Sequence, residues 1–197
     1  MANGTLKVSN IETSSGSGTI TIGQSGETIS VPSGATINLS NATQTGVGGN
    51  LKPAFSAYLS ANQTASDATW TKVQCNTEVL DSDGTYDNSS NYRFTPASTG
   101  YYLICAGVYI SCTENTMVDN YISLYKNGSQ VSVSAQYGNS SSKSTWNSHT
   151  FNQIINVTST SDYYELYGYA DPSSGSVTFK GNSTVVHSYF NAFKLIT

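Results

Sequence analysis

The sequence predicts an all-β fold, a sandwich or jelly roll preceded by a short β-rich stem, in a chain that associates with copies of itself. Short alternating or apolar runs recur along the chain, with turn dipeptides between them, and one of these runs is apolar on both faces. No window of a dozen residues has a 3.6-residue period free of Gly, Pro and β-branched residues. The pattern therefore favours many short strands over helices.

Six runs predict the principal strands, because their apolar residues alternate or follow one another without interruption. They cover residues 101–110, 121–125, 131–137, 151–157, 163–170 and 188–196. The dipeptides between the runs are typical of turns. They are Asp83-Gly84, Asn127-Gly128, Gly138-Asn139, Asp171-Pro172 and Gly181-Asn182.

The run at residues 101–110 predicts oligomerisation, because it has apolar residues on both faces. Residues 163–169 similarly place Leu166 on one face and tyrosines on the other. A single core covers only one side of each sheet, so the second side needs another cover. A second copy of the chain is the simplest cover, and loops of the same chain are the alternative.

The chain divides near residues 46–49 into a stem, residues 1–50, and a head, residues 51–197. In the stem, Ser-Gly recurs at eight-residue intervals with short alternating Ile and Val pieces between, which predicts strands joined by tight turns. The dipeptides are Ser17-Gly18, Ser25-Gly26 and Ser33-Gly34. Such strands cannot bury their apolar face alone, so three copies would wrap together or pack on another protein. A flexible Ser/Gly linker is the alternative.

Four motifs follow one another along the head. They are an opening strand at residues 53–57, an Asp turn with Phe-Thr-Pro and Gly-x-Tyr at residues 86–104, a Leu-x-Lys-Asn-Gly hairpin at residues 124–128 and a last strand at residues 188–195. In type and order they resemble the globular heads of the complement C-one-q family, which share the tumour-necrosis-factor jelly roll. Ala192 stands where the family usually has Gly. The resemblance covers nearly all of residues 53–196.

This resemblance implies a ten-stranded jelly roll and a homotrimer about a three-fold axis, with aromatic and aliphatic residues on the axis. Such a trimer would bury the second apolar face of residues 101–110 against neighbouring subunits. The expected trimer-interface residues are Tyr101, Leu103, Tyr163, Tyr167 and Phe193.

The stem resembles the opening of fibre and appendage proteins of marine bacteriophages. We expect a tail-fibre or knob-like structural protein of the virion, whose stem binds other virion proteins and whose head binds a host-surface polysaccharide or receptor. The N-terminus lacks a secretory signal pattern, so synthesis in the host cytoplasm is expected. A capsid decoration or tail protein without host contact, and a bacterial lectin-like protein, are the alternatives.

Composition argues against several other functions. The net charge of −4 and the scattered basic residues disfavour nucleic-acid binding. No apolar stretch is long enough for a membrane span. The two histidines, His149 and His187, and the thinly spread acidic residues predict no catalytic site, so we expect no enzyme and no cofactor.

Exposed tyrosines are candidates for stacking on sugar rings, and Tyr137 and Tyr169 are the expected ligand-binding residues. Packing in the core or the interface is the alternative for these tyrosines.

The best metal candidate is Asp81, Asp83 and Asp87, which would suit calcium, although a polar turn capped by its own aspartates is favoured. Three cysteines, Cys75, Cys105 and Cys112, have no zinc spacing, and we expect small buried hydrophobes.

Overall fold

A computed structural model describes residues 9–13, 18–38, 51–137 and 143–195, without the side chains of residues 135–137. Within these residues there are thirteen strands and no helix that is long and apolar enough to span a membrane. The strands are β1 (Ala54–Tyr58), β2 (Gln63–Ala65), β3 (Thr71–Lys72), β4 (Thr77–Asp81), β5 (Tyr86–Asp87), β6 (Arg93–Phe94), β7 (Gly100–Cys112), β8 (Met117–Lys126), β9 (Ser129–Tyr137), β10 (Trp146–Val157), β11 (Tyr164–Pro172), β12 (Val177–Phe179) and β13 (Tyr189–Lys194).

The strands form two antiparallel sheets, which confirms the predicted jelly-roll sandwich. Sheet A has the order β2-β12-β7-β13-β1-β4, and β10 also pairs with β7. Sheet B has the order β5-β6-β11-β8-β9, and β3 also pairs with β11. The strand number exceeds the ten that the resemblance implied, because β2, β3, β5, β6 and β12 are pieces of two or three residues.

One continuous core lies between the sheets. In β7 every second side chain, from Tyr102 to Ile110, is fully buried in it. Phe55 of sheet A stacks on Tyr86 of sheet B with ring centroids 4.5 Å apart, and Phe94 of sheet B lies 4.8 Å from Phe55. These aromatic contacts hold the two sheets together, because large rings bury much apolar area.

The β8–β9 hairpin confirms the predicted Asn127-Gly128 turn. Both residues have positive φ, at 51° and 78°, which a type I′ turn requires. Asp171-Pro172 is not a turn, and that prediction is wrong: β11 continues through both residues, with a register irregularity between them. A bulge tolerates proline because no ladder hydrogen bond is needed there. Gly138-Asn139 lies outside the described residues.

The chain separates into two compact units, Met1–Val47 and Gly48–Thr197. In the first unit, Ser25-Gly26 and Ser33-Gly34 form turns that are closed by Glu27 N–H to Gln24 C=O and by Ala35 N–H to Pro32 C=O. Gly26 and Gly34 have positive φ. Residues 9–13 and 18–38 contain no strand. The strands expected there would need partners, which one copy of the segment does not supply.

Candidate functional site

Sheet A carries a half-exposed apolar surface on the side away from the core. Leu103 of β7 lies between Ile154 of β10 and Phe193 of β13 in the strand register. Ile154 and the neighbouring Tyr101 are 61% and 49% exposed, and Leu103 and Phe193 are half-buried. This surface consists of three aliphatic residues, Leu80, Leu103 and Ile154, and two aromatic ones, Tyr101 and Phe193. We call it the aliphatic face, because aliphatic residues are in the majority.

A shallow groove of about 480 Å³ extends this face over β1 and β4. It is lined by Leu51, Lys52, Ala54, Leu80, Ser82 and Phe193. Leu80 is half exposed although its neighbours in the groove are mainly apolar. Exposed apolar residues that lie together on one side of a sheet are typical of an interaction surface.

Sheet B carries aromatic rings on its outer side. Tyr121 and Tyr125 lie on the outer face of β8, and Tyr167 and Tyr169 lie on the outer face of β11. Trp70 immediately precedes β3. All five are half-buried. We call them the aromatic band.

The strand register produces this band. Tyr169 lies directly opposite Tyr121, with centroids 5.3 Å apart, and alternation puts the other two tyrosines on the same face. The pairing of β3 with β11 places Trp70 beside them, 5.4 Å from Tyr169 and 6.0 Å from Tyr121. Tyr125 and Tyr167 pack 4.2 Å apart, and Trp70 contacts Tyr125 at 6.1 Å. The rings therefore form one connected surface.

A groove of about 350 Å³ opens on the band. Its lining combines three of the rings with one amide and one aliphatic side chain: Trp70, Tyr121, Gln130, Val133 and Tyr169. Val133 is 56% exposed, and Gln130 is exposed at the start of β9. A concave, mostly apolar lining with a few polar groups is typical of ligand sites.

Charged groups lie at one end of the band. The Lys72 ammonium pairs with Glu165 at 2.5 Å and lies 5.9 Å from the ring centre of Tyr167. Beyond them, the Arg93 guanidinium lies 4.5 Å from the ring centre of Tyr163. Both are cation–π contacts, which help to fix the orientation of the tyrosine rings.

The hydroxyls of Tyr125, Tyr167 and Tyr169 remain protonated at neutral pH. Burial raises the pKa of Tyr125, and burial followed by nearby acids raises the pKa of Tyr167 and Tyr169. A protonated phenol both donates and accepts hydrogen bonds. The band therefore offers neutral donors and acceptors beside its ring faces.

The expected interface residues lie on both sheets. Tyr101, Leu103 and Phe193 come together on the aliphatic face, whereas Tyr167 is in the aromatic band and Tyr163 lies under Arg93. Their part in an interface stays a prediction. The structure does not bring all five onto one surface.

The expected ligand residues lie on sheet B. Tyr169 is part of the aromatic band, and the backbone register places Tyr137 opposite Asp119 at the end of β9. The side chain of Tyr137 lies outside the described part. Trp70 was missed by sequence reasoning, because it belongs to no alternating run. Its only signal was that it is one of two tryptophans and lies in a polar stretch.

Two of the three aspartates of the calcium candidate, Asp81 and Asp87, accept hydrogen bonds from nearby backbone amides, whereas Asp83 accepts from the Ser82 hydroxyl. Asp81 accepts hydrogen bonds from the amides of Thr85 and Tyr86, at 3.0 and 2.9 Å. Asp87 accepts from the amides of three following residues, above all Ser90, and these bonds lower its pKa. No group of three His, Cys, Asp or Glu side chains suited to a metal occurs in the described ranges. The carboxylates of Asp81 and Asp87 therefore cap turns of their own backbone, and a calcium role for the three aspartates stays untested.

The histidines and cysteines occupy structural positions. His149 of β10 is buried with its Nε2 against Asn120 Oδ1 of β8, and the ring of His187 packs on Tyr109 at 5.6 Å. Cys75 is fully buried, whereas Cys105 and Cys112 are half-buried, and all three are free thiols. None of these groups lies in the band or its groove.

No family model matches this chain, and no curated protein matches it significantly. Among solved structures, the Eiger TNF of S. frugiperda superposes with a TM-score of 0.51 at 13% identity, covering 73% of this chain and 94% of that one. The globular domain of zebrafish complement 1qA gives 0.47 at 15%, covering 73% and 98%. Murine APRIL gives 0.48 at 15%, covering 72% and 99%. The likeness to Eiger shows that the head has a TNF-like jelly-roll fold.

Proposed function

We propose that the protein is a non-enzymatic binding head that works as a homotrimer and projects from a bacteriophage particle as a tail fibre or knob. The aliphatic face of sheet A is the observation that supports the trimer. It leaves large apolar side chains, above all Ile154, Leu80 and Tyr101, in contact with water in a solitary subunit.

The aliphatic face suits a subunit interface better than a ligand site. Its five residues lie on four strands, β4, β7, β10 and β13, so they form a broad surface. Interface cores are depleted in charged residues, and none of these five is charged. A trimer would also give residues 101–110 a cover on their second side, which the sequence resemblance implied.

The attachment of the head to a virion rests on the first unit of the chain. Its resemblance to phage fibre openings and its regular Ser-Gly turns support a repetitive stem that binds other virion proteins. A stem that leaves its apolar residues exposed in one copy, such as Ile22 at 63% and Ile29 at 60%, would gain from three-fold assembly. The head then faces the host surface, where a polysaccharide is the proposed ligand.

Sedimentation equilibrium at micromolar concentration tests the trimer. Three copies of 20.9 kDa should give a species of about 63 kDa that persists on dilution, since obligate interfaces commonly bury more than about 2,000 Å². Ile154→Asp should dissociate it, because a carboxylate would be desolvated at the interface. A folded wild-type protein of 20.9 kDa would refute the proposal.

Localisation tests the phage assignment separately. Gold-labelled antibody against the head should decorate projecting fibres or knobs of intact particles. Labelling spread evenly over the capsid would instead identify a decoration protein, and absence from particles would remove the virion assignment.

A further inference from the structure

We propose that the aromatic band of sheet B binds an uncharged segment of a glycan, whose sugar rings stack on Trp70 and Tyr169. This inference rests on the proposed binding function and assigns it a place and a ligand class. It leaves the aliphatic face of sheet A to subunit contact.

The rings form a platform and not a closed cage. Trp70, Tyr121 and Tyr169 already contact one another, with centroids 5.3 to 6.0 Å apart and planes inclined by 39° to 54°. A group as large as a quaternary ammonium cannot enter between rings in contact, which disfavours the aromatic-cage mode of binding. A flat apolar sugar face can lie on their exposed side.

The band is long enough for more than one sugar. It continues from Trp70 through Tyr125 to Tyr167, so contacts at 6.1 and 4.2 Å extend the surface along the sheet. Adjacent residues of a glycan chain could occupy it together. An extended ligand is therefore favoured over a single small molecule.

The groove supplies polar partners beside the rings. The amide of Gln130 both donates and accepts hydrogen bonds, and Tyr121 and Tyr169, which each carry a hydroxyl, belong to the same lining. Sugar hydroxyls need such neutral partners at the edges of a stacked ring. A volume of about 350 Å³ lies within the range of ligand pockets.

Local charge selects an uncharged ligand. No charged side chain is among the five that line the groove. Asp171, Asp119 and Asp67 are near enough to Tyr169 to raise its pKa after the larger effect of burial. At this end of the band the three carboxylates disfavour uronate sugars and single-stranded nucleic acid, which needs a basic groove in addition to stacking rings. At the other end the Lys72 ammonium is already paired with Glu165.

Tryptophan fluorescence of the 197-residue protein tests this inference directly. Trp70 and Trp146 are the two tryptophans, and Trp146 lies on sheet A, so Trp146→Phe leaves Trp70 as the single reporter. The probes are dextran and a neutral galactan, with a polyuronate, choline and an oligothymidylate for comparison. We expect a saturable change in Trp70 emission with a neutral polysaccharide and none with the other three.

Binding of a neutral polysaccharide, measured by affinity electrophoresis, should weaken about tenfold or more in Trp70→Ala, as is typical of truncated hot-spot aromatics. The matched control Trp146→Phe should bind as wild type, and the sedimentation of both variants should remain that of wild type. Wild-type-like binding by Trp70→Ala would overturn the site and leave the glycan-binding function standing. Binding of choline, polyuronate or oligothymidylate alone would overturn the ligand class. If wild type bound no neutral glycan, either on an array or on host cells, both the site and the proposed glycan-binding function would be overturned.

Discussion

The ring of Phe179 in sheet A lies against the Cα of Gly168 in sheet B, where an added Cβ would meet its Cζ at 2.6 Å. Gly168 also separates Tyr167 from Tyr169 in β11. The absence of a side chain at this position therefore lets the two sheets approach directly beneath the aromatic band.

Gly168→Ala should lower the free energy of unfolding by about 1–3 kcal/mol, the usual cost of overpacking a core. Urea unfolding followed by far-UV circular dichroism measures it. The double variant Gly168→Ala with Phe179→Leu should be destabilised by less than the sum of the two single variants, because the smaller side chain at position 179 makes room for the Cβ. If the two substitutions destabilise additively, the contact is not the cause.

The stability of the fold should depend on the protonation of His149. Burial lowers its pKa in the folded protein, whereas an unfolded histidine has a pKa of about 6.5. Above that value His149 is neutral in both states, and stability is at its plateau. As the pH falls below about 6.5, only the unfolded chain gains this proton, so stability decreases until the lower folded pKa is reached.

Urea unfolding at about pH 7.5 and about pH 5.5 checks this dependence, with a slope of at most about 1.4 kcal/mol per pH unit for one proton. His149→Gln cannot titrate but retains an amide that can reach Asn120. The curve of this variant should be flatter than that of wild type. An unchanged slope would assign the dependence to other groups.

The main strands were predictable because they combine period-two alternation with local turn chemistry. The Asn127-Gly128 turn needs only its own two residues to adopt positive φ. The apolar character of β7 on both faces was likewise visible in the sequence. Its register with β10 and β13 was not, since pairing depends on residues about 50 and 90 positions away.

The aromatic band was only partly predictable. Alternation in β11 indicated that Tyr167 and Tyr169 share a face, but the separate predictions for them, interface and ligand, ignored that they are neighbours. Trp70 joins them through β3, a strand of two residues that has no periodicity to detect. Asp171-Pro172 was misread because a proline at a bulge looks like a turn in sequence.

The turn after β4 should depend on the carboxylate of Asp81 and not on calcium. Asp81→Ala removes the acceptors for the backbone amides of Asp83, Thr85 and Tyr86 and for the Thr85 hydroxyl, and should destabilise the protein by about 1–3 kcal/mol. Asp83→Ala is the matched control, since Asp83 is exposed, and should change stability by less than about 0.5 kcal/mol. Thermal unfolding should be the same with calcium and with EDTA, and a rise in Tm with calcium would contradict this account.

The Cys105 thiol reports on the proposed trimer, because it lies on the outer side of β7 two residues from Leu103, opposite Asn152 and Asn191. Burial raises the pKa of Cys105 already in one subunit, so its thiolate fraction is small. In the trimer a neighbouring subunit should cover it further. Iodoacetamide labelling, resolved by peptide mass spectrometry, should therefore be faster at Cys105 in monomeric Ile154→Asp than in wild type. Cys75, fully buried in the core, should label slowly in both, and equal rates at Cys105 would place the subunit contact elsewhere.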